Sequence, residues 1–266
     1  VSTPVLLAWS GGKDSTLALA RLRQDPGVQV AGLLTTISSL HDRISIHGVR
    51  RSILHAQAEA LDLPLFEAPL APESSNEDYD RAWSLALQSA RAALGPIRQL
   101  AYGDLFLEDV RRFREEQAVR LDYAPLFPLW GEDTSDLARH FVREGYEAYL
   151  TCVDTTQLTP EFAGRRFDDA LLADLPPDVD PCGERGEFHT CVVAGPIFRQ
   201  PIPVASGERL RRDGRFEYCD LVALSPIGSK GEDVAHFPRT RPARVPREAV
   251  PEPLHSAWRL FLDSRP

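Results

Sequence analysis

Short apolar runs alternate with amphipathic stretches through the first half of the chain, and this rhythm constrains the fold more than any other feature. Residues 4–9 (PVLLAW), 28–36, 65–68 and 99–102 read as strands, and their near-continuous apolar character suits strands covered on both faces. Between them, Val49, Ile53, Ala56 and Ala60 recur at helical spacing, as do Trp83, Leu87, Ala90 and Leu94. Each set forms one apolar stripe for packing on a sheet. Leu107, Val110 and Phe113 suggest a further helix, followed by a strand at 121–124. Strands that alternate with helices need crossover connections, so the expected product is an α/β fold with a doubly wound, mostly parallel sheet.

The rhythm runs on through a helix at 133–144 and a strand at 146–153, and then the texture changes. Residues 154–188 are rich in Asp, Pro and Gly around one short helix at 167–173, which suits loops that build a site. Residues 190–193 and 216–224 read as strands of an antiparallel arrangement. The expected organisation is a first domain over 1–125, a smaller α+β domain over 126–224, and a Pro/Arg-rich tail over 225–266. That tail ends in a short apolar stripe at Leu254, Trp258 and Leu262.

Composition excludes several classes. With 39 acidic against 30 basic residues and a net charge of -9, the chain lacks the basic surface that neutralises phosphate backbones, which argues against nucleic acid as a partner. No apolar run reaches the roughly 18 residues needed to span a bilayer, and the first ten residues lack a positive leader region, so no membrane association and a cytoplasmic location are expected. Cys152, Cys182, Cys191 and Cys219 form no CxxC pair and read as reduced thiols. Of the 30 basic residues only Lys13 and Lys230 are lysine, which draws attention to what surrounds Lys13.

Lys13 lies in Ser10-Gly11-Gly12-Lys13-Asp14-Ser15, between the first strand and a helical stretch over 16–22. Two glycines allow a tight turn and a close approach of backbone to ligand, while the following helix offers N–H groups and its positive dipole end to an anion. Lys13 supplies a point charge and the serines supply hydroxyl donors. Asp14 is placed to order the loop or to hold a Mg²⁺ that accompanies phosphates. The spacing is neither GxxxxGK[ST] nor GxGxxG. It resembles the SGGxDS PP-loop of the ATP pyrophosphatases, which cleave ATP between the α and β phosphates. That resemblance implies ATP phosphates bound by Ser10, Gly11, Gly12, Lys13, Asp14 and Ser15, with Mg²⁺ at Asp14. In an open α/β sheet the nucleotide lies at the carboxyl ends of the strands. Thr35 and Gly103-Asp104 fall there, where strand-terminal turn chemistry is an equal alternative for them.

A second cluster, residues 181–190 (PCGERGEFHT), gathers two carboxylates, a histidine, a thiol and two glycines before a strand. Glutamates three apart can converge on one cation or amine, and His189 can move a proton near neutral pH. Taken alone, the segment also reads as a solvated charged turn. Together with the PP-loop it resembles the diphthine-ammonia ligase family, whose second signature reads GEGGE followed by an aromatic, Glu and Thr. Gly183, Glu184, Gly186, Glu187, Phe188 and Thr190 fall on matching positions. His47 with the AQAEALDLPL stretch, the PLW at 128–130 and the run 145–154 extend the resemblance across residues 4–203.

The resemblance implies a PP-loop domain of the adenine nucleotide alpha hydrolase type, with a smaller C-terminal domain carrying the glutamate motif. It implies a reaction in which ATP adenylates the carboxylate of diphthine on elongation factor 2 and ammonia displaces AMP. Lys13, Asp14, Glu184 and Glu187 would be catalytic, and His47, Gly183, Glu184, Gly186, Glu187, His189 and Thr190 would form the substrate site. Arg185 replaces a glycine of the signature and His189 a glutamate. The GERGEFHT form is similar to that of bacterial members, and bacteria do not make diphthamide, so another carboxylate acceptor is expected unless the source makes diphthamide. Two other functions stay open at this level: a PP-loop sulfur transferase or tRNA thiolase using Cys182 or Cys191, and an ATP-binding protein without chemistry.

Overall fold

The computed structural model describes residues 2–40, 42–44, 47–71 and 74–224. The tail over 225–266, with its apolar stripe and Lys230, lies outside the described residues. The chain runs β1 (Thr3–Ala8), α1 (Lys13–Gln24), β2 (Val28–Ser38), β3 (Arg43–Ile44), α2 (Arg51–Leu61), β4 (Leu65–Leu70), α3 (Asn76–Leu94), β5 (Gln99–Ala101), α4 (Glu108–Arg120) and β6 (Ala124–Leu126). It continues with α5 (Thr134–Arg143), β7 (Glu147–Asp154), α6 (Asp169–Asp174), β8 (Phe188–Ala194), β9 (Val204–Arg212) and β10 (Phe216–Ala223).

The first sheet has β1 at its centre, flanked by β2 and β5, with β4 parallel on the far edge of β2 and β6 parallel on β5. The two-residue β3 adds antiparallel pairing where β2 runs past the end of β1. Both faces are covered, as the apolar strands require. Val5, Leu7 and Trp9 point into one core with α1 and α2, while Leu6, Leu34 and Leu100 point into a second core with Trp83, Leu87 and Ala90 of α3. This two-residue alternation is the strand period expressed as two hydrophobic layers.

The second sheet is antiparallel in the order β8-β7-β10-β9. Its apolar face, including Leu150, Val153, Cys191 and Val193, joins the α1 and α2 core rather than forming a separate one. The helix and strand at 133–154 thus continue the helix-strand rhythm, but β7 enters this second sheet. β9 was not legible as a strand because seven of its nine residues are exposed and they include Glu208, Arg209 and Arg211. Pairing along β10 holds it in place. The strand expected at 121–124 begins instead at Ala124, because Asp122 adopts a left-handed φ of 63° as the chain leaves α4. The helix expected from Leu107, Val110 and Phe113 is α4, with Val110 and Phe113 on a face that borders a cleft.

Gln57 of α2 clasps the two sheets at 0% exposure. Its Nε2 donates to the carbonyls of Gly11 (3.0 Å) and Val192 (2.7 Å), and its Oε1 accepts from the Trp9 indole (2.9 Å). A buried polar group stripped of its partner costs about 1–3 kcal/mol. Gln57→Leu leaves the Trp9 indole without its acceptor and removes one donor each from the Gly11 and Val192 carbonyls, and it is expected to lower unfolding free energy by about 1–3 kcal/mol. Urea titration checks this, and a loss under about 1 kcal/mol would contradict the clasp.

Candidate active site

At the carboxyl end of β1 the chain turns through Gly11, whose φ of +73° is left-handed. A Cβ there would stand 2.7 Å from Gln57 Oε1, so both backbone angle and space require glycine. Gly12 is the N-cap of α1 and gives no side-chain cap, leaving the helix N-terminus to other partners. The loop is cross-tied internally. Gly12 N–H donates to Ser10 Oγ (3.3 Å), Ser15 Oγ donates to the Gly12 carbonyl (3.0 Å), and the two serine hydroxyls lie 3.2 Å apart.

The second sheet supplies the other half of the scaffold. Val192 N–H donates to the Gly11 carbonyl (2.9 Å), and Lys13 N–H donates to Thr190 Oγ1 (3.0 Å). Lys13 itself is 2% exposed. Its ammonium donates to Asp14 Oδ2 (2.9 Å) and to the Cys182 carbonyl, and it lies over the rings of Phe167 and Phe188. Burial opposes its charge, yet Asp14 and neighbouring groups more than offset that and raise its pKa. The lysine expected to offer a free charge to phosphate therefore has its ammonium tied to the 181–190 turn. Asp14 has its pKa raised by burial, partly countered by Lys13, and its Oδ1 has no hydrogen-bond partner.

These groups open onto one cleft of about 550 Å³, a size suited to a small-molecule ligand. Of the residues expected from sequence, Ser10, Lys13, Asp14, Ser15, Thr35, His47, Gly103, Asp104, Gly183, Glu184, His189 and Thr190 line it. Gly103 brings β5 against the loop, since a Cβ at that position would lie 3.0 Å from the Asp14 carbonyl carbon and the Ser15 nitrogen. Asp104 has a raised pKa through burial. Thr35 is buried on β2 beside the cleft.

Glu184 reaches across to the parallel sheet, where its Oε1 accepts from Leu105 N–H (2.8 Å). Burial first, and then the Asp14 charge, pushes its carboxyl up to about 8. Glu187 does not join it. Glu187 is 1% exposed, its Oε1 accepts from Asp180 N–H (2.9 Å), and it is absent from the cleft lining. The two glutamates, expected to converge on one substrate, are separated by the turn: Glu184 faces the cleft and Glu187 braces the turn from behind. Gly186 also lies off the cleft. His47 and His189 lie against each other with ring centroids 4.4 Å apart and planes tilted by 40°. Burial lowers His47 to about 4 and takes His189 well below its ordinary value, with His47 adding to the latter shift. Both imidazoles are neutral at physiological pH.

Sequence reasoning missed Asp180, which organises the turn by accepting from Cys182 N–H (2.8 Å), Glu184 N–H (3.3 Å) and Thr134 Oγ1 (2.7 Å). An Asp shortly before a Cys-Gly step is a turn signal that could have marked it. Gln57 carried no local signal, because its partners are distant in sequence. The four cysteines are free and buried. Burial raises the pKa of Cys182 and pushes Cys191 up to about 12.

A parallel sheet whose first strand delivers a glycine-serine loop to an uncapped helix N-terminus defines a PP-loop-like α/β protein. Two sequence families match in succession: the diphthamide synthase N-terminal domain over residues 3–117 and the diphthamide synthase C-terminal domain over 133–222. The chain belongs to the diphthamide synthase family. Among curated relatives, the diphthine-ammonia ligase of Schizosaccharomyces pombe is 25% identical over 263 residues, covering 91% of this chain but 41% of that protein. The Homo sapiens diphthine-ammonia ligase is 26% identical over 226 residues, covering 75% of this chain and 82% of its own length. The Danio rerio protein of that name is 26% identical over 220 residues, covering 75% and 85%. The chain thus spans less than half of the fission yeast relative. No helix among the described residues is long and apolar enough to cross a membrane.

The raised carboxyl of Glu184 has a consequence for stability. Below about pH 4.3 both folded and unfolded states hold its proton; between there and about 8 only the folded state keeps it, so stability falls as pH rises through that window. Glu184→Gln keeps the Oε1 acceptor and removes the titration. Its melting temperature is expected to match wild type near pH 4.5 and to exceed it increasingly towards pH 8. A constant difference across that range would contradict the assignment.

Proposed function

We propose that the protein is an ATP-dependent, AMP-forming amide ligase that adenylates a carboxylate and amidates it with ammonia. The observation that carries this reading is the convergence of the Ser10–Ser15 loop and Glu184 on a single cleft from two different sheets. The loop and the α1 N-terminus receive the phosphates of ATP. The acceptor carboxylate attacks the α-phosphorus, the bond to the β-phosphate oxygen breaks, and pyrophosphate leaves. Ammonia then attacks the acyl carbonyl and AMP departs with the electron pair of the acyl-oxygen bond. Glu184 titrates near 8, and its ionised fraction, which grows as pH rises towards that value, takes up the proton that the attacking ammonia releases. Lys13 holds the loop against the 181–190 turn, a positioning role.

Mg²⁺ would be held by Asp14 and Asp104, which each keep a buried carboxylate oxygen without a hydrogen-bond partner, and it would offset charge on the departing pyrophosphate. No preformed cluster of three or more ligating side chains occurs among the described residues. That suits a cation bound by one or two carboxylates plus phosphate oxygens and water.

The sulfur-transfer alternative loses its chemistry here. Thiolate is the reactive form, and Cys182 and Cys191 are buried with raised pKa values. The acceptor follows the relatives only in class. Arg185 and His189 change the charge around the turn, so a carboxylate other than diphthine is the expected acceptor where diphthamide is not made.

With ATP, Mg²⁺, ammonium and a panel of carboxylates, AMP and pyrophosphate should appear in equal amounts. ADP and phosphate in their place would overturn the reading. Glu184→Gln is expected to lower AMP formation by about 10²-fold or more, while Cys182→Ser changes it by less than about threefold. Loss of activity in the cysteine variant, with folding intact, would favour sulfur transfer instead.

A further inference from the structure

The cleft continues beyond the PP-loop and Asp104 into a pocket between β5, α3 and α4. Its walls are aromatic. Tyr102 stacks between Trp83 and Phe127 at centroid distances of 6.3 and 5.6 Å, with Tyr79 and Phe113 beside them. Into this box projects Arg114 of α4, its guanidinium 5.2 Å from the Tyr102 ring centroid and 5.9 Å from that of Phe113.

Arg114 differs from the other cations of the cleft. The Lys13 ammonium is tied to Asp14 and the Cys182 carbonyl, and Arg112 pairs with Asp109 at 2.5 Å on the rim. Arg114 donates one long bond, from Nη1 to the Tyr79 hydroxyl (3.3 Å). It forms an ion pair with Asp104, whose Oδ2 stands 3.7 Å from its Nε, beyond hydrogen-bond reach. Its Nε, the Tyr102 hydroxyl and Asp104 Oδ2 are all buried without a hydrogen-bond partner. Leaving such groups unpaired is costly. Two of the three can donate, and a bound anion would satisfy both.

We propose that Arg114 and Tyr102 form the subsite that binds the acceptor's carboxylate, a reading that rests on the ligase function proposed above. A carboxylate entering a cleft that also holds Asp14, Asp104 and Glu184 needs a cationic partner, and a guanidinium offers it a planar fork. The same geometry defines the acceptor class. Because the guanidinium already lies over the Tyr102 and Phe113 rings, a second cation next to the carboxylate would meet like charge where those rings would otherwise receive it. The acceptor is therefore a carboxylate without an adjacent quaternary ammonium.

Calorimetric titration of the whole protein separates this subsite from the nucleotide site. The probes are butyrate, betaine and a non-cleavable α,β-methylene analogue of ATP. Wild type should bind butyrate more tightly than betaine. Arg114→Gln should weaken butyrate about tenfold or more, and Tyr102→Phe, which keeps the ring packing, should weaken it severalfold; both should leave the ATP analogue within about twofold. No butyrate binding by wild type, betaine binding as tight as butyrate, or unchanged butyrate binding by Tyr102→Phe would overturn the inference. Equal weakening of the ATP analogue by Arg114→Gln in a folded protein would also overturn it, by assigning Arg114 to the phosphates. AMP release is measured separately: its absence from wild type with Arg114-dependent butyrate binding intact would sink the ligase reading and not the carboxylate subsite.

Discussion

The carbonyl of Gly11 and the amide of Lys13 are both bonded to β8, a strand that lies about 180 residues further along the chain. Both backbone groups are satisfied by a second sheet, so the loop's shape depends on that sheet being docked. Gln57 completes the joint by holding Trp9, Gly11 and Val192 together inside the core. The shared hydrophobic core follows from the same docking, because the inner face of β7 and β8 has α1 and α2 as its cover. Nucleotide loop and C-terminal turn are therefore one mechanical unit.

Electrostatics reinforce that unit and set its chemistry. Burying an ammonium is expensive unless it is paired and hydrogen-bonded, and Lys13 meets the requirement by engaging Asp14 and the Cys182 carbonyl at once. This uses the lysine to fix the turn that carries Glu184. Asp14, Asp104 and Glu184 then share a poorly solvated region in which Asp14 disfavours the ionisation of Asp104 and Glu184, and Asp104 that of Glu184. Glu184 consequently holds its proton at neutral pH and loses it only towards pH 8, and bound cations would relieve the strain on the two aspartates.

Much of the architecture was legible because strand and helix periods are local. The four parallel strands before α4 and the helices packed on them stood out through two-residue and 3.6-residue spacing. β9 did not, since an exposed, arginine-bearing strand has no apolar pattern and forms only because β10 pairs with it. The stripe at Leu107, Val110 and Phe113 had helical spacing, but periodicity records an apolar face and not what covers it; in this protein that face borders the cleft. Among site residues, the loop and Glu184 were visible as motifs. The opposite fates of Glu184 and Glu187 were not, because a three-residue spacing in a turn leaves side-chain direction to the backbone hydrogen bonds around Asp180.

By itself the sequence determined the α/β class, the glycine-serine loop at the end of the first strand, and a second glutamate motif whose order along the chain marks the family. These are properties of residues close together in the chain, where glycine freedom, hydrophobic period and helix termini act over a few positions. Only the tertiary structure decided that Lys13 faces the Cys182 carbonyl, that Glu184 titrates near 8, that Glu187 serves the turn, and that Arg114 sits in an aromatic pocket beside the loop with its Nε lacking a hydrogen-bond partner. Each of those outcomes depends on burial and on partners brought together from distant segments. Desolvation, which gives a charge its pKa and its need for a partner, exists only once the two sheets have closed around the cleft.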